Sequence, residues 1–398
     1  MITPCVTIRF GLLVATAAMW TMVPAAGLAQ SEAEFTPVTD AMLQDPAPGD
    51  WLTWRRTLDG WGYSPLDQID RTNVDGLRMV WTRGLTDGSN QATPLVYDGV
   101  MYMPNPSDVI QAIDAASGDL RWEYRRDLPD DLGDYVTTAL TKINRNVAIY
   151  GNLIINTSAD DFVFALDATT GDLVWETEIL DYKTLPAHQS SGPIIANGKV
   201  ISGRGCMPAA GPDACVITAH DAATGAELWR RRTIPRPGEP GDETWGGVPD
   251  EERRHVGAWM VPSYDPTLNL IYIGTSVTSP APKFLVGGVN NKHLYHNSTL
   301  ALDADTGEIT WYYQHLNDHW DLDHPFERLL VDTAVTPSAD AVSWINPRLR
   351  PGEQRQVVTG IPGKTGIIYT LDRATGEFLW ATPSVSQNVV SHIDGATG

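Results

Sequence analysis

The 398-residue sequence is poor in cysteine, has no excess of positive charge, and past residue 29 has no apolar run long enough to cross a bilayer. Each absence excludes something. No Cys-x-x-Cys-His occurs, so the chain carries no c-type haem of its own. With 28 Lys and Arg against 49 Asp and Glu, the net charge of -21 argues against nucleic acid as a partner. A field of that sign instead draws a cation or a basic protein. Lack of a second long apolar run argues against stable membrane insertion. What is abundant is Gly (35), Pro (28) and Trp (14), the composition of a turn-rich, aromatic-rich globular protein.

Residues 1–29 read as an export leader and 30–398 as the folded domain. Arg9 supplies the positive end, Phe10 to Val23 the short apolar core, and Ala25-Ala26-Gly27-Leu28-Ala29 the small-residue end, with cleavage expected near Ala29. That predicts a periplasmic protein. Cys5 leaves with the leader, and Cys206 and Cys215 remain as an even pair in an oxidising compartment. A disulfide closing the Pro- and Gly-rich loop between them is the expectation; two free thiols or a metal pair are the alternative.

An eleven-residue pattern, Ala-x-Asp-x-x-x-Gly-x-x-x-Trp, recurs at 112–122, 165–175, 219–229 and 301–311, and with Thr first at 370–380. Each copy predicts a strand end, a tight turn and a new strand: Asp caps the turn, Gly takes its positive φ, and Trp packs onward. A β-rich run ending in Asn-Gly, Asp-Gly or a similar pair stands before each copy. Two to four strands per Trp repeat is the pattern of a β-propeller blade, so the expected fold is an all-β propeller. Insertions at 230–256, 277–297 and 333–353 map to loops at the ends of the blades, where propellers build sites.

The most chemical stretch is Trp320-Asp321-Leu322-Asp323-His324. If it continues a strand, Asp321 and Asp323 share a face and converge, suited to holding a hard cation or taking a proton. A polar turn is the plainer reading.

Together these segments, with Trp51-Leu52-Thr53-Trp54 and Tyr63-Ser64-Pro65-Leu66, resemble the pyrroloquinoline-quinone (PQQ) alcohol dehydrogenases, whose domain is an eight-bladed propeller. Five clear repeats do not close eight blades, so the ring is expected to be incomplete at its C-terminal side or to be smaller. The resemblance implies that Arg145 binds a cofactor carboxylate, Ser190 offers a cofactor-binding hydroxyl, Trp259 is the floor beneath the quinone, Asp321 is the general base and Lys364 binds a quinone oxygen. Asp321 and Asp323 together match the metal carboxylates of lanthanide-using members, with calcium the first expectation and lanthanide the second. Several positions depart from the family. Its cofactor-clamping glutamate is Gln91, its adjacent cysteines are Ala139-Leu140, and two further metal ligands fall at Pro208 and Val277; Asp213 is a substitute carboxylate to consider. The implied activity is oxidation of a sugar, polyol or secondary alcohol, with electrons leaving to a periplasmic cytochrome c or another acceptor. The alternative is a non-catalytic Trp-repeat propeller that serves as a protein-binding scaffold.

Overall fold

The computed structural model describes residues 35–279, 285, 290–317 and 320–398. The expected leader lies outside the described residues. Internal contacts divide the chain into Met1–Phe35 and Thr36–Gly398, and the second unit carries the sheets.

Five antiparallel sheets follow one another along the chain. The first holds β1 (Leu95–Tyr97), β2 (Val100–Asn105), β3 (Val109–Asp114) and β4 (Leu120–Arg125), paired in sequence order. The second repeats this with β5 (Ala148–Tyr150), β6 (Leu153–Thr157), β7 (Phe162–Asp167) and β8 (Leu173–Glu178). A short strand, β9 (Ala187–His188), precedes the third sheet, which consists of β10 (Ile194–Ala196), β11 (Lys199–Ser202), β13 (Val216–Asp221) and β14 (Glu227–Arg232). Between β11 and β13 the chain makes β12 (Gly205–Cys206), which leaves that sheet to pair with β9. The fourth sheet is β15 (Ser263–Asp265), β16 (Leu270–Gly274), β17 (Ser298–Asp303) and β18 (Ile309–Gln314). The fifth contains β19 (Leu329–Val335), β20 (Trp344–Ile345), β21 (Glu353–Gly360), β22 (Ile367–Asp372) and β23 (Phe378–Pro383), with β20 added at its outer edge. These are the blades of the expected propeller.

Each conserved-type position of the repeat has its own task. The first faces its Trp across a strand pair, Ala112 with Trp122, Ala165 with Trp175, Ala219 with Trp229, Ala301 with Trp311 and Thr370 with Trp380. A small residue there leaves room for the indole, and a bulge follows in every case. In the turn, Asp114 Oδ1 accepts the amides of Ala116 and Ser117 at 3.1 and 3.0 Å, while Gly118 takes φ 78°. The Trp then covers the glycine of the next blade's turn. A Cβ on Gly171 would lie 2.6 Å from Trp122, one on Gly225 2.5 Å from Trp175, and one on Gly376 2.7 Å from Trp311. Indole Nε1 of Trp122, Trp229 and Trp311 each donates 3.0 Å across to the neighbouring turn, to the carbonyls of Ala168, Ala304 and Arg373. The first four blades are each stapled to the next in this way, the second by the Trp175 ring alone, since its Nε1 has no partner among the described residues.

Two further pieces of this device escape the pattern. Trp81 lies in an extended stretch without a strand partner among the described residues, yet its Nε1 donates to Ala115 O at 3.1 Å and its ring covers Gly118. Its neighbours Met79 and Val80 are 83% exposed. At the other end, Asp394 Oδ1 accepts the amides of Ala396 and Thr397 at 2.8 and 3.0 Å, the same turn again. The first lacks the Asp and Gly upstream, and the second has His392 in place of the small first residue, so neither reads as the eleven-residue pattern.

Gly171→Ala is expected to destabilise by about 2–4 kcal/mol, summing left-handed strain and displacement of the Trp122 ring. Gly99 has φ 74° and open space around it. Gly99→Ala should therefore cost only the strain, about 1–2 kcal/mol. Denaturant midpoints of the two variants check the difference.

Candidate functional site

Arg145 lies just before β5, with its guanidinium buried where the chain passes between blades. Its Nη1 donates to the Ser190 carbonyl at 2.7 Å, and its guanidinium carbon stands 5.3 Å from the centre of the Trp259 ring. No carboxylate pairs with it among the described residues. Burial alone pulls its pKa down, to about 10, so it remains a cation at neutral pH. A buried guanidinium with no counter-charge is costly and marks a place for an anionic ligand. Trp259 is half-buried and meets Phe326 edge-on, with ring centres 5.6 Å apart.

A second group gathers around Lys364. Its Nζ donates to Asp321 Oδ1 at 2.8 Å and to Asp323 Oδ2 at 3.2 Å. The two carboxylates therefore converge, but not through strand alternation. Trp320 and Asp321 lie in a turn, with irregular chain after it, and Asp321 has φ 60°. Asp323 is buried and its Oδ1 accepts the Val277 amide at 3.0 Å, whereas the Asp321 side chain is 81% exposed. The Lys364 backbone amide closes the arrangement by donating to Asp323 O at 3.0 Å. Burial pulls the Lys364 ammonium down, but the hydrogen bond to Asp321 and the charge of Asp323 outweigh it and hold its pKa above the ordinary 10.5. Its contribution to holding the ion triple is thus full below 10.5 and is lost as pH rises through the higher folded value. Acetylation of Lys364 by acetic anhydride, followed by mass spectrometry against pH, should show its half-reaction point displaced upward. In Asp321→Asn that point should move back down.

Phe326 joins the two groups. It lies three residues past Asp323, touches Trp259, and its amide donates to Pro362 O at 3.0 Å, two residues before Lys364. It also lines an open, mostly apolar cleft of about 610 Å³ with Met260, Leu329, Ile361 and Ile368.

Other expected residues lie elsewhere or act differently. Ser190 contributes its carbonyl to Arg145, and no hydrogen bond from its hydroxyl occurs among the described residues. Gln91 is exposed and donates to Ser89 at 3.2 Å, though the amide of Thr93, two residues on, reaches Arg145 O at 3.1 Å. Asp213, the substitute carboxylate considered, stands among arginines. It faces Arg232 at 3.4 Å and Arg236 at 4.0 Å. Cys206 and Cys215 do form the expected disulfide, with Cα atoms 5.0 Å apart. Sequence reasoning gave His188 and His255 no role beside the cofactor. Burial, His255 and Arg145 together push His188 down to about 3, and its Nδ1 has no partner among the described residues. The His255 ring bonds to the Val277 backbone and senses the charges of Asp323 and Asp321. Neither lies in a recognisable spacing; only their place beside Arg145 and the Asp pair brings them forward.

Comparison with known proteins now decides the family. The family of the PQQ-type glucose/ethanol/alcohol dehydrogenase β-propeller domain matches residues 51–391. The chain belongs to this family. Among curated relatives, the Pseudomonas putida quinohemoprotein alcohol dehydrogenase ADH-IIG is 34% identical over 374 residues, 89% of this chain and 48% of the relative. The quinone alcohol dehydrogenase subunit of Komagataeibacter europaeus is 32% identical over 376 residues, again 89% and 48%. The chain thus spans about half the length of the curated relatives it matches. Among solved structures, that of ADHIIG from P. putida HK5 superposes with a TM-score of 0.78 at 32% identity, covering 91% of this chain and 52% of that one. A europium-containing methanol dehydrogenase gives 0.74 at 25% identity, covering 87% and 60%. These relatives are named as dehydrogenases.

The residues of this chain fit the family's cofactor in two respects. Arg145 is a buried cation with no carboxylate partner among the described residues, and Trp259 offers a flat apolar face beside it. For a hard cation, Lys364 Nζ is a stand-in, a positive charge bridging Asp321 and Asp323. Those two carboxylates are what the described side chains supply, for no group of three or more His, Cys, Asp or Glu converges among the described residues. The rest of a shell of about six to eight oxygens would come from backbone, cofactor and water. No helix among the described residues is long and apolar enough to cross a membrane.

Proposed function

We propose that this chain carries the quinone-binding bed and base of a PQQ-dependent alcohol dehydrogenase that oxidises a secondary alcohol, sugar or polyol to its carbonyl compound. The observation that carries the proposal is Arg145, buried without an acidic partner among the described residues and next to the Trp259 face. A planar cofactor bearing carboxylates answers both features, the charge by a guanidinium fork and the ring by stacking. When bound, the quinone supplies the oxidant for the hydride leaving the alcohol carbon, and a calcium or lanthanide ion held by Asp321 and Asp323 would polarise its carbonyl.

The remaining work belongs to the chain. Asp321 presents Oδ2, free of hydrogen bonds among the described residues, to accept the alcohol proton. Without a cation Lys364 keeps Asp321 and Asp323 together, and once an ion takes that place its ammonium would be free to stabilise negative charge on a quinone oxygen. Phe326 excludes water from the Trp259 edge. The apolar lining of the neighbouring cleft favours a bulky secondary alcohol among the three substrate classes. Electrons then pass to an external acceptor, a periplasmic cytochrome c suiting the -21 charge if its docking face is basic. Export to the periplasm agrees with the disulfide.

Calorimetric titration with PQQ and with its trimethyl ester tests this reading. PQQ should bind at least tenfold more tightly than the ester, because Arg145 answers a carboxylate. Equal affinities, or no binding of either, would rule out the proposed bed.

A further inference from the structure

The small sheet formed by β9 and β12 stands apart from the blades and consists of two residue pairs, Gly205 with His188 and Cys206 with Ala187. On one side, β9 runs directly into Ser190, whose carbonyl holds Arg145. On the other, β12 lies against the segment leading to Trp259. The Ala258 amide donates to Arg204 O at 2.8 Å, and a Cβ on Gly257 would come within 2.9 Å of Gly205 Cα. Gly205 itself has no room for a side chain, because the His188 ring covers it. β12 is therefore the layer between the strand that fixes Arg145 and the segment that carries Trp259.

Two residue pairs are too few to hold a strand in place unaided. β12 is tied at its end by the Cys206–Cys215 disulfide, both halves fully buried. Cys215 is in turn anchored to the third blade. β13 begins at Val216, the Cys215 carbonyl accepts the Thr233 amide at 2.9 Å, and the Thr233 hydroxyl also bonds Val256 O. The bond thus connects a thin strand of the bed to a rigid blade.

We infer that Cys206 and Cys215 are positioning residues for the cofactor bed: their disulfide fixes β12 so that Arg145 and Trp259 stand at the separation a planar, carboxylated quinone requires. This rests on the proposed cofactor reading, but its structural half can be measured without any cofactor. Reduction of this one bond loosens residues 187–190 and 257–259 together and leaves the blade strands as they are. Gly257→Ala, which wedges β12 away from the Trp259 segment with the disulfide intact, has the same consequence for binding as reduction.

The test uses the purified chain oxidised, reduced with TCEP, and reoxidised with oxidised glutathione, alongside Cys206→Ala/Cys215→Ala and Gly257→Ala. Amide hydrogen exchange is read first, then PQQ affinity. The expected result on reduction is exchange at least tenfold faster at residues 187–190 and 257–259, unchanged protection of β6 and β16, and PQQ binding weakened tenfold or more and restored on reoxidation. Unchanged exchange in those two segments would overturn the brace whatever PQQ does. Faster exchange with undiminished PQQ affinity would overturn its link to the bed. Should the double variant fail to fold, reversible reduction of the native chain and Gly257→Ala give the same readings. Failure of the oxidised wild-type chain to bind PQQ would count against the cofactor reading, while the exchange data would still decide the brace.

Discussion

Replacing Arg145 with alanine is expected to weaken PQQ binding by about 30- to 150-fold while leaving the unliganded chain as stable as before or more so. The two effects have one cause. In the structure the guanidinium is buried, gives one hydrogen bond to the Ser190 carbonyl, and has no acid to answer it among the described residues. That arrangement costs the free protein and is offset only when an anion arrives. A charge-assisted hydrogen bond to a carboxylate contributes about 2–3 kcal/mol, which sets the fold-loss. Arg145→Lys keeps the charge but not the fork, so it should recover only part of the affinity. Calorimetric PQQ titration and thermal unfolding of the three proteins give both numbers. A variant that binds PQQ as tightly as wild type would remove Arg145 from the bed.

Asp321→Asn is expected to reduce turnover of alcohol by about 10²–10⁴-fold, the range for loss of a general base, with PQQ affinity changed no more than a few-fold. Asn keeps the shape and an acceptor for Lys364 but takes a proton poorly. Asp323→Asn should behave differently. Asp323 is buried, and its two oxygens are already engaged by the Val277 amide and Lys364. Its loss should loosen the turn and lower stability as well as rate. Dye-coupled assays of the reconstituted chain, run on both variants with thermal melts, separate the two roles. Equal loss of stability in both would mean that Asp321 is no more than a structural partner of Lys364.

Much of the fold is legible in the sequence because the repeat is local. Asp, Gly and Trp within eleven residues specify a turn, a bulge and a staple to the next blade without any distant contact. What escaped is what needs a partner blade. Trp81 reads as an ordinary tryptophan until its ring is seen over Gly118, and the Asp394 turn opens on His392 where the other copies have a small residue. At the site, Arg145, Trp259, Asp321 and Lys364 emerge from resemblance, and the structure brings them into two adjoining groups through Phe326. The convergence of Asp321 and Asp323 was expected for the wrong reason. A left-handed residue at Asp321 and the reach of Lys364 bring them together, and strand periodicity does not. His188 and His255 show no pattern because their neighbours come from different blades. Gln91 donates to Ser89 and Asp213 pairs with arginines, contacts that position matching alone does not foretell.

The most direct test of the central claim is tryptophan fluorescence of the purified chain during titration with PQQ, with and without calcium or lanthanum, in wild type and Trp259→Phe. The expected result is saturable quenching in wild type, strengthened by one of the metals, and largely abolished in Trp259→Phe even though that protein melts like its parent. Quenching of equal depth in Trp259→Phe, or none in a folded wild-type chain with either metal, would contradict a quinone lying on Trp259 beside Arg145.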